Sequence, residues 1–467
     1  MKIISEKKGI ILVDILLALS LAVFFTAIIA ESSFGAGEIF NSAKSRNSIL
    51  NLFENDSSSE IIMKSQPYGN DMVENYSDLN GVFFASFEPN TNSNFSEFAG
   101  VPFCSVDFTD NEIAGSYLYS QNVWGPRTDA DSNISNNINA EKISIMSITL
   151  PINPLLPLTD FEIRNGIAYV STDSAKSSDP DLFVIDIHDI NNPVILSSID
   201  TGPGISAITL AGRRIFAAAA STAYQLHIIY LNNLNSIFLE SRFKLPLPFA
   251  TATPSFGSSI FYKGGLIYLG TEKWDDDEFS VIDVNNPISP VKIGGFETNS
   301  KINDIYIRDK LAYVADSDFK QMRIIDLNDI LNPVEFNSFS PSGGNRQEGK
   351  SISLFENGLS LTRTSGGFDI VFDHEIFAFA TTSSTTLARF NSYNIPGGAY
   401  SIVTDRSYLY LITREIDKEF RIFDREHETD LNIAFSLPVA PQTITCDNDQ
   451  LYILAHSAPV IYQISFH

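Results

Sequence analysis

The chain has 467 residues, 44% of them hydrophobic and 12% aromatic, which is enough apolar material for more than one packed core. A formal charge of −25 argues against a nucleic-acid partner, because phosphate binding needs a basic surface. Cys104 and Cys446 are the chain's two cysteines, and without CxxC spacing they exclude a structural zinc or dithiol centre while leaving room for one disulfide between them.

Met1–Lys8 is short and basic, Gly9 follows, and residues 10–30 are apolar apart from Asp14, Ser20 and Thr26. Twenty-one residues at about 1.5 Å each reach roughly 31 Å, the depth of a bilayer core. A secretory signal fits badly, since Asp14 sits near the start of its apolar region and Ile28 precedes a cut after Ala30. A plain anchor leaves the carboxylate unexplained, because an aspartate at mid-helix in lipid costs about 2.5–3.5 kcal/mol. The stretch KKGIILVDILLALSLAVFFTAII resembles the class III leader of type IV pilins and pseudopilins. That resemblance implies cleavage after Gly9 by a prepilin peptidase and methylation of the new amino terminus, Ile10. It also gives Asp14 a role in filament assembly, since a buried carboxylate needs a cation and a neighbouring subunit's amino terminus supplies one. The family prefers Phe where Ile10 stands and usually has Glu where Asp14 stands.

Past Ala30 the pattern turns amphipathic, with Ile39, Phe40, Ala43, Leu50 and Phe53 near one face. Residues 10–60 therefore read as one long helix, half in lipid and half packed on a globular head. Residues 61–142 show short apolar runs, GVFFASF and GSYLY, between Asn-, Ser- and Asp-rich turns. They read as a small pilin-like β-region or as a linker with a few strands.

From Ile143 the chain repeats. DLFVIDIHDINNPVIL, EFSVIDVNNPISPVKI and MRIIDLNDILNPVEF each place a Pro-Val seven residues after an Asp, at Asp186, Asp283 and Asp326. Upstream of each lies a turn and a short apolar strand. Aligning that strand gives Tyr169, Phe216, Tyr268, Tyr313, Leu361, Tyr410 and Tyr452, spaced 42–52 residues apart. Seven copies of a four-strand unit predict a seven-bladed β-propeller over 143–467. In each unit the aspartate can accept backbone N–H groups of the next turn, and Asn-Pro fixes the chain extended before the fourth strand. These residues are architectural. The repeat resembles that of LVIVD-repeat propeller proteins, which implies a surface or secreted module. The last repeat supplies three strands, and EKISIMSITLP resembles the fourth strand of the others. Residues 143–150 are therefore expected to close the ring, since an open propeller leaves unpaired edges.

No G-x-S-x-G, H-E-x-x-H, P-loop, dinucleotide fingerprint or EF-hand loop occurs, and none of the six histidines stands at metal-ligand spacing from another. Antiparallel connectivity puts the loops between second and third strands at one end of the ring. Five of these seven loops are acidic, with fifteen carboxylates against five bases. They include Asp275, Asp276 and Asp277 in the WDDDE run of the third blade, and Asp316 and Asp318 in the fourth. Two readings stand: solvated surface of an acidic protein, or a site for calcium or a cationic partner. These variable loops are the expected recognition end.

The sequence thus predicts a mainly β protein: a seven-bladed propeller preceded by a long transmembrane, pilin-like helix and a small irregular β segment. Its domains are a leader at 1–9, the helix at 10–60, the middle region at 61–142 and the propeller at 143–467. The expected function is a minor pilin or pseudopilin-like bacterial protein, not an enzyme. It would sit in the cytoplasmic membrane with its propeller outside, and its partners would be other pilin-like subunits and a surface ligand, protein or glycan. The competitors are an anchored propeller that never polymerises and an anchored propeller hydrolase or oxidoreductase. Perturbed titratable groups in the central channel would favour the latter.

Overall fold

The structure is a computed structural model that describes residues 64–68, 71–77, 83–89, 104–106, 122–124 and 143–466, the last apart from 174–178, 251, 253–254, 309, 341–346, 356–357, 365–373, 384–385, 396, 405–407, 425–432 and 448–449. The apolar run at 10–30, with Gly9, Ile10 and Asp14, lies outside the described residues. Among the described residues no helix is long and apolar enough to cross a membrane.

Seven four-stranded antiparallel sheets follow one another along the chain. Blade one comprises Leu158–Arg164, Ile167–Thr172, Leu182–Asp186 and Val194–Ile199, paired in that order from the inner strand outward. The second strand has all six residues buried and the third has its first four buried, whereas the outer strand is mostly half-exposed. This gradient follows from residue choice, since β-branched and aromatic side chains suit a pleated surface covered on both faces. The inner strands are joined to the second strands by tight turns, as at Asn165 and Gly166, with φ of 49° and 71°, the left-handed pair such hairpins require. Gly265, at φ 77°, fills the same place in blade three, and a Cβ there would collide with Asn285.

There is no single core. Each of seven apolar clusters lies between two neighbouring blades, so that Phe161 and Ile163 of blade one pack with Ile148, Leu454 and Ile461 of blade seven. The inner strand of blade seven, Pro441–Asp447, touches that of blade one, and the ring closes there. Its sheet takes its outermost strand from Ile143–Thr149, which pairs with Val460–Phe466 over seven residues, from Thr149 opposite Val460 to Ile143 opposite Phe466. The two ends of the propeller chain thus share one sheet.

The repeated aspartates hold turns. The Oδ1 atoms of Asp186, Asp283 and Asp326 accept the backbone N–H groups of His188, Asn285 and Asn328 at 3.0, 2.9 and 2.8 Å. Upstream, Lys64–Tyr68, Asp71–Ser77 and Phe83–Pro89 form a three-stranded antiparallel sheet, and Cys104–Val106 pairs with Asn122–Trp124 as a two-stranded ribbon.

Candidate functional site

Two places on the ring gather functional groups: the loop end and the central channel. At the loop end the structure divides the acidic residues into three kinds. The residue immediately before the third strand is an acid or amide in six blades: Asp181, Gln225, Glu278, Gln321, Glu375 and Glu419. Its side chain reaches the connection leading to the next blade. Asp181 accepts the N–H groups of Thr201 and Gly202 at 2.6 and 2.9 Å. Gln225, Glu278, Glu375 and Glu419 accept those of Leu245, Thr298, Ile395 and Leu437, while Gln321 donates to the carbonyl of Gln347. A connection that leaves the sheet has orphan backbone donors, and a buried acceptor at a fixed position satisfies them. Three of the fifteen loop carboxylates (Asp181, Glu278 and Glu419) therefore belong to the fold.

A second group is held in ion pairs. Asp276 and Asp277 of the WDDDE run lie 3.4 and 2.8 Å from the Lys292 ammonium, and Glu272 pairs with Lys301 at 2.5 Å. Trp274 is buried and donates its indole N–H to the Asp277 carbonyl, anchoring the run. Asp316, with 0% side-chain exposure, meets the Arg323 guanidinium at 2.5 Å and also accepts the Ser300 hydroxyl; Arg323 binds Glu335 at 2.7 Å and the Thr298 carbonyl. Asp318 lies 3.5 Å from the same guanidinium. Asp275 is exposed. Four of the five candidate cation ligands are thus drawn to two bases, Lys292 and Arg323, and among the described residues no group of three His, Cys, Asp or Glu side chains is placed to hold a metal. Asp369 and Asp373 lie outside the described residues.

Beside exposed charges such as Asp173, Asp275 and Asp417, large apolar side chains also stand outward on this end. Tyr224, Leu247, Phe249, Phe256, Phe319 and Ile416 stand exposed, from 39% for Leu247 to 82% for Ile416. Four of them, Tyr224, Leu247, Phe249 and Phe256, lie on a loop of blade two and on the connection from blade two to blade three. The connection carrying Leu247, Phe249 and Phe256 is tied to the loop of Tyr224 through Leu245 and Gln225, and to the WDDDE loop by the Glu272 N–H donating to the Phe256 carbonyl. In the sequence these residues stand as KLPLPFATATPSF, an apolar stretch beside the acidic loops.

The second place is a cavity of about 250 Å³ along the ring axis, bordered by the inner strands of all seven blades. Asp160, Glu162 and Asp304 border it, and among the described residues no Lys, Arg or His does. Each of these carboxylates links neighbouring blades. Asp160 accepts the N–H groups of Phe161 and, across to blade two, Ile208, both at 2.9 Å. Asp304 accepts those of Ile305 and, across to blade five, Ile352, both at 2.8 Å. Burial pushes Asp160 up to about 7 and Asp304 up to about 6, and it also raises Glu162. Asp160 and Asp304 keep some surface, which faces the channel, yet protein surrounds them closely enough for desolvation to dominate. In the sequence DFEIR and NDIYIR show only the alternation of a strand, and nothing local marks their carboxylates as facing an axis.

These shifts fix a pH dependence. A carboxyl whose folded value lies above its unfolded one contributes stability at acid pH that is lost as pH rises through the folded value. The ring is therefore expected to lose stability from about pH 4 upward, through Asp304 until about pH 6 and through Asp160 until about pH 7. His227, buried and lowered to about 4, acts in the opposite sense by losing stability as pH falls. Asp160→Asn isolates one contribution. Its amide NH₂ would face a backbone N–H, leaving a buried donor unpaired at a cost of about 1–3 kcal/mol. Urea melts across pH 4–8 should show the variant weaker at every pH and with a shallower decline up to about pH 7. An unchanged slope would remove Asp160 from the titration.

Cys446, the sixth residue of Pro441–Asp447, borders the same channel, is 2% exposed and is disulfide-bonded. The side chain of Cys104, the chain's other cysteine, lies outside the described residues.

No protein-family model matches the chain, and no curated protein matches it in sequence. Solved structures do match in shape. A chain of the mitotic checkpoint complex is similar over 74% of this chain and 99% of its own, with a TM-score of 0.51 and 12% identity. A catalytically inactive virginiamycin B lyase from Staphylococcus aureus, solved with quinupristin, is similar over 70% of this chain and 100% of its own, with a TM-score of 0.50 and 11% identity. At such identities the likeness is one of fold, and it defines this chain's class as a seven-bladed β-propeller.

Proposed function

We propose that this chain is a membrane-anchored, pilin-like protein of the bacterial surface whose LVIVD-type propeller binds a partner protein through its loop end and catalyses nothing itself. The observation that carries the binding part is the division of groups on that end. Its carboxylates are largely engaged within the ring, while Tyr224, Leu247, Phe249 and Phe256 stand outward on loops over a rigid scaffold. Exposed aromatic and aliphatic side chains gathered in one place mark protein contacts more often than solvated surface. The anchoring part is supported by the sequence: a basic start, Gly9, and an apolar run with Asp14 at its fifth position.

The competing enzyme reading would draw on the channel carboxylates, whose raised values resemble those of acid–base groups. Asp160 and Asp304, however, each engage both oxygens with backbone N–H groups of two inner strands, which suits them to holding the ring.

Mass spectrometry of the amino terminus of protein purified from membranes tests the anchoring part. The expected mature chain begins at Ile10, with a methyl group on its nitrogen. Retention of Met1 would overturn the pilin reading while leaving the propeller's binding role standing.

A further inference from the structure

The geometry points to Cys104 as the disulfide partner of Cys446, and so to the ribbon of Cys104–Val106 and Asn122–Trp124 as a covalently held cap over one mouth of the central channel. Three observations converge. Cys446 is disulfide-bonded, and the chain offers one other cysteine. Cys104 opens the ribbon, paired opposite Trp124. The ribbon's second strand, Asn122–Trp124, approaches Pro441–Asp447 of blade seven and Gly349–Phe355 of blade five, which are inner strands bordering the channel.

The position of Cys446 says which mouth is capped. Inner strands run from the recognition loops toward the turn into the second strand. Cys446 is the sixth of seven residues, next to the turn that leads into Gln450–Ala455. The cap therefore lies at the end opposite Tyr224 and Phe249. Inner strands have one unpaired edge, facing the axis, so covering a mouth shields N–H groups that the sheet ladder does not protect.

Bond formation removes two protons and two electrons from the thiols. Glutathione disulfide takes both by exchange and leaves as two glutathione molecules, so the chemistry can be run on the purified chain whatever compartment it comes from. A natural oxidising compartment would supply an equivalent disulfide.

The test uses the full chain, reduced, reoxidised with glutathione disulfide, alkylated and digested without reductant. The expected result is a linked peptide pair containing Cys104 and Cys446, lost on reduction. Alkylation of both cysteines, or a linked pair of two identical peptides, would overturn the pairing. Hydrogen exchange then tests the cap. In Cys104→Ser, or in Cys446→Ser should the first melt abnormally, exchange should quicken in Pro441–Asp447 and Gly349–Phe355 and stay unchanged in Gly257–Lys263. Equal exchange in all three strands of variant and oxidised parent would leave a bond without a cap and overturn that part. An unaltered N-terminal processing result would have no bearing on either outcome.

Discussion

A propeller that begins at Pro151 is expected to lose most of its stability relative to one that begins at Ile143, although both contain every repeat. The missing strand pairs residue for residue with Val460–Phe466, and its loss exposes the ladder edge of the blade that closes the ring. Ile148 is 0% exposed, and burying such a side chain is worth about 1.5–3 kcal/mol. Ile143 and Ile145 also pack against the cluster between blades six and seven. Together with the lost backbone pairs, the deficit is on the order of 5 kcal/mol or more, against a total stability of about 5–15 kcal/mol for an ordinary domain. Urea unfolding should show the midpoint falling sharply on removal of 143–150. Removing 61–142 alone should move it little, provided Cys446 is kept reduced. Equal midpoints for chains beginning at 143 and 151 would mean that Val460–Phe466 needs no partner. Ile148→Asp in the longer chain is the point version of the same test, with the same direction expected.

Arg323→Met is expected to cost about 3–5 kcal/mol, because it leaves Asp316 buried without its cation. The guanidinium binds Asp316, Glu335 and the Thr298 carbonyl, so it ties the loop of blade four to its outer strand and to the connection from blade three. Burial already raises the Asp316 carboxyl, against the pull of Arg323. Removing the cation raises it further. A raised folded value means stability at acid pH that is lost as pH rises, so the variant's deficit should be larger at pH 8 than at pH 5. Replacing both partners, Asp316→Leu with Arg323→Met, should recover much of the loss, since apolar pairs of similar volume often replace buried ion pairs without penalty. Denaturant melts at the two pH values decide. A deficit that does not depend on pH would mean that Arg323 acts by packing alone. The same samples test calcium: the parent's melt should not rise on its addition, because Asp316 already has a partner.

Both results bear on how acidic loops are read. Charge counted along a sequence treats each carboxylate as free, but Asp181, Glu278 and Glu419 accept backbone N–H groups and Asp277 faces Lys292. The acid or amide before the third strand of six blades was visible as, for example, SDPD, DDDE and KE ahead of apolar strands. Its role was hidden because the donors lie about twenty residues downstream, beyond the next strand.

By itself the sequence determined the repeat, the number of blades and the place of the Asp and Asn-Pro residues. Those features are local: an alternating strand, a turn that needs an acceptor, and a proline that forces extension act within a few residues, and repetition multiplies the signal. Ile143–Thr149 could be matched to the outer strand of the last blade for the same reason, since it resembles its counterparts. Tertiary structure decided which carboxylates are engaged, that Asp160 and Asp304 face the ring axis and link neighbouring blades, and that Tyr224, Leu247, Phe249 and Phe256 stand outward on the loop end. Asp160 and Ile208 are forty-eight residues apart, and they meet because closing a ring sets the inner strands of successive blades side by side. A sequence pattern gives each residue its strand and its face. The partner across the gap is fixed by the closure of the whole ring.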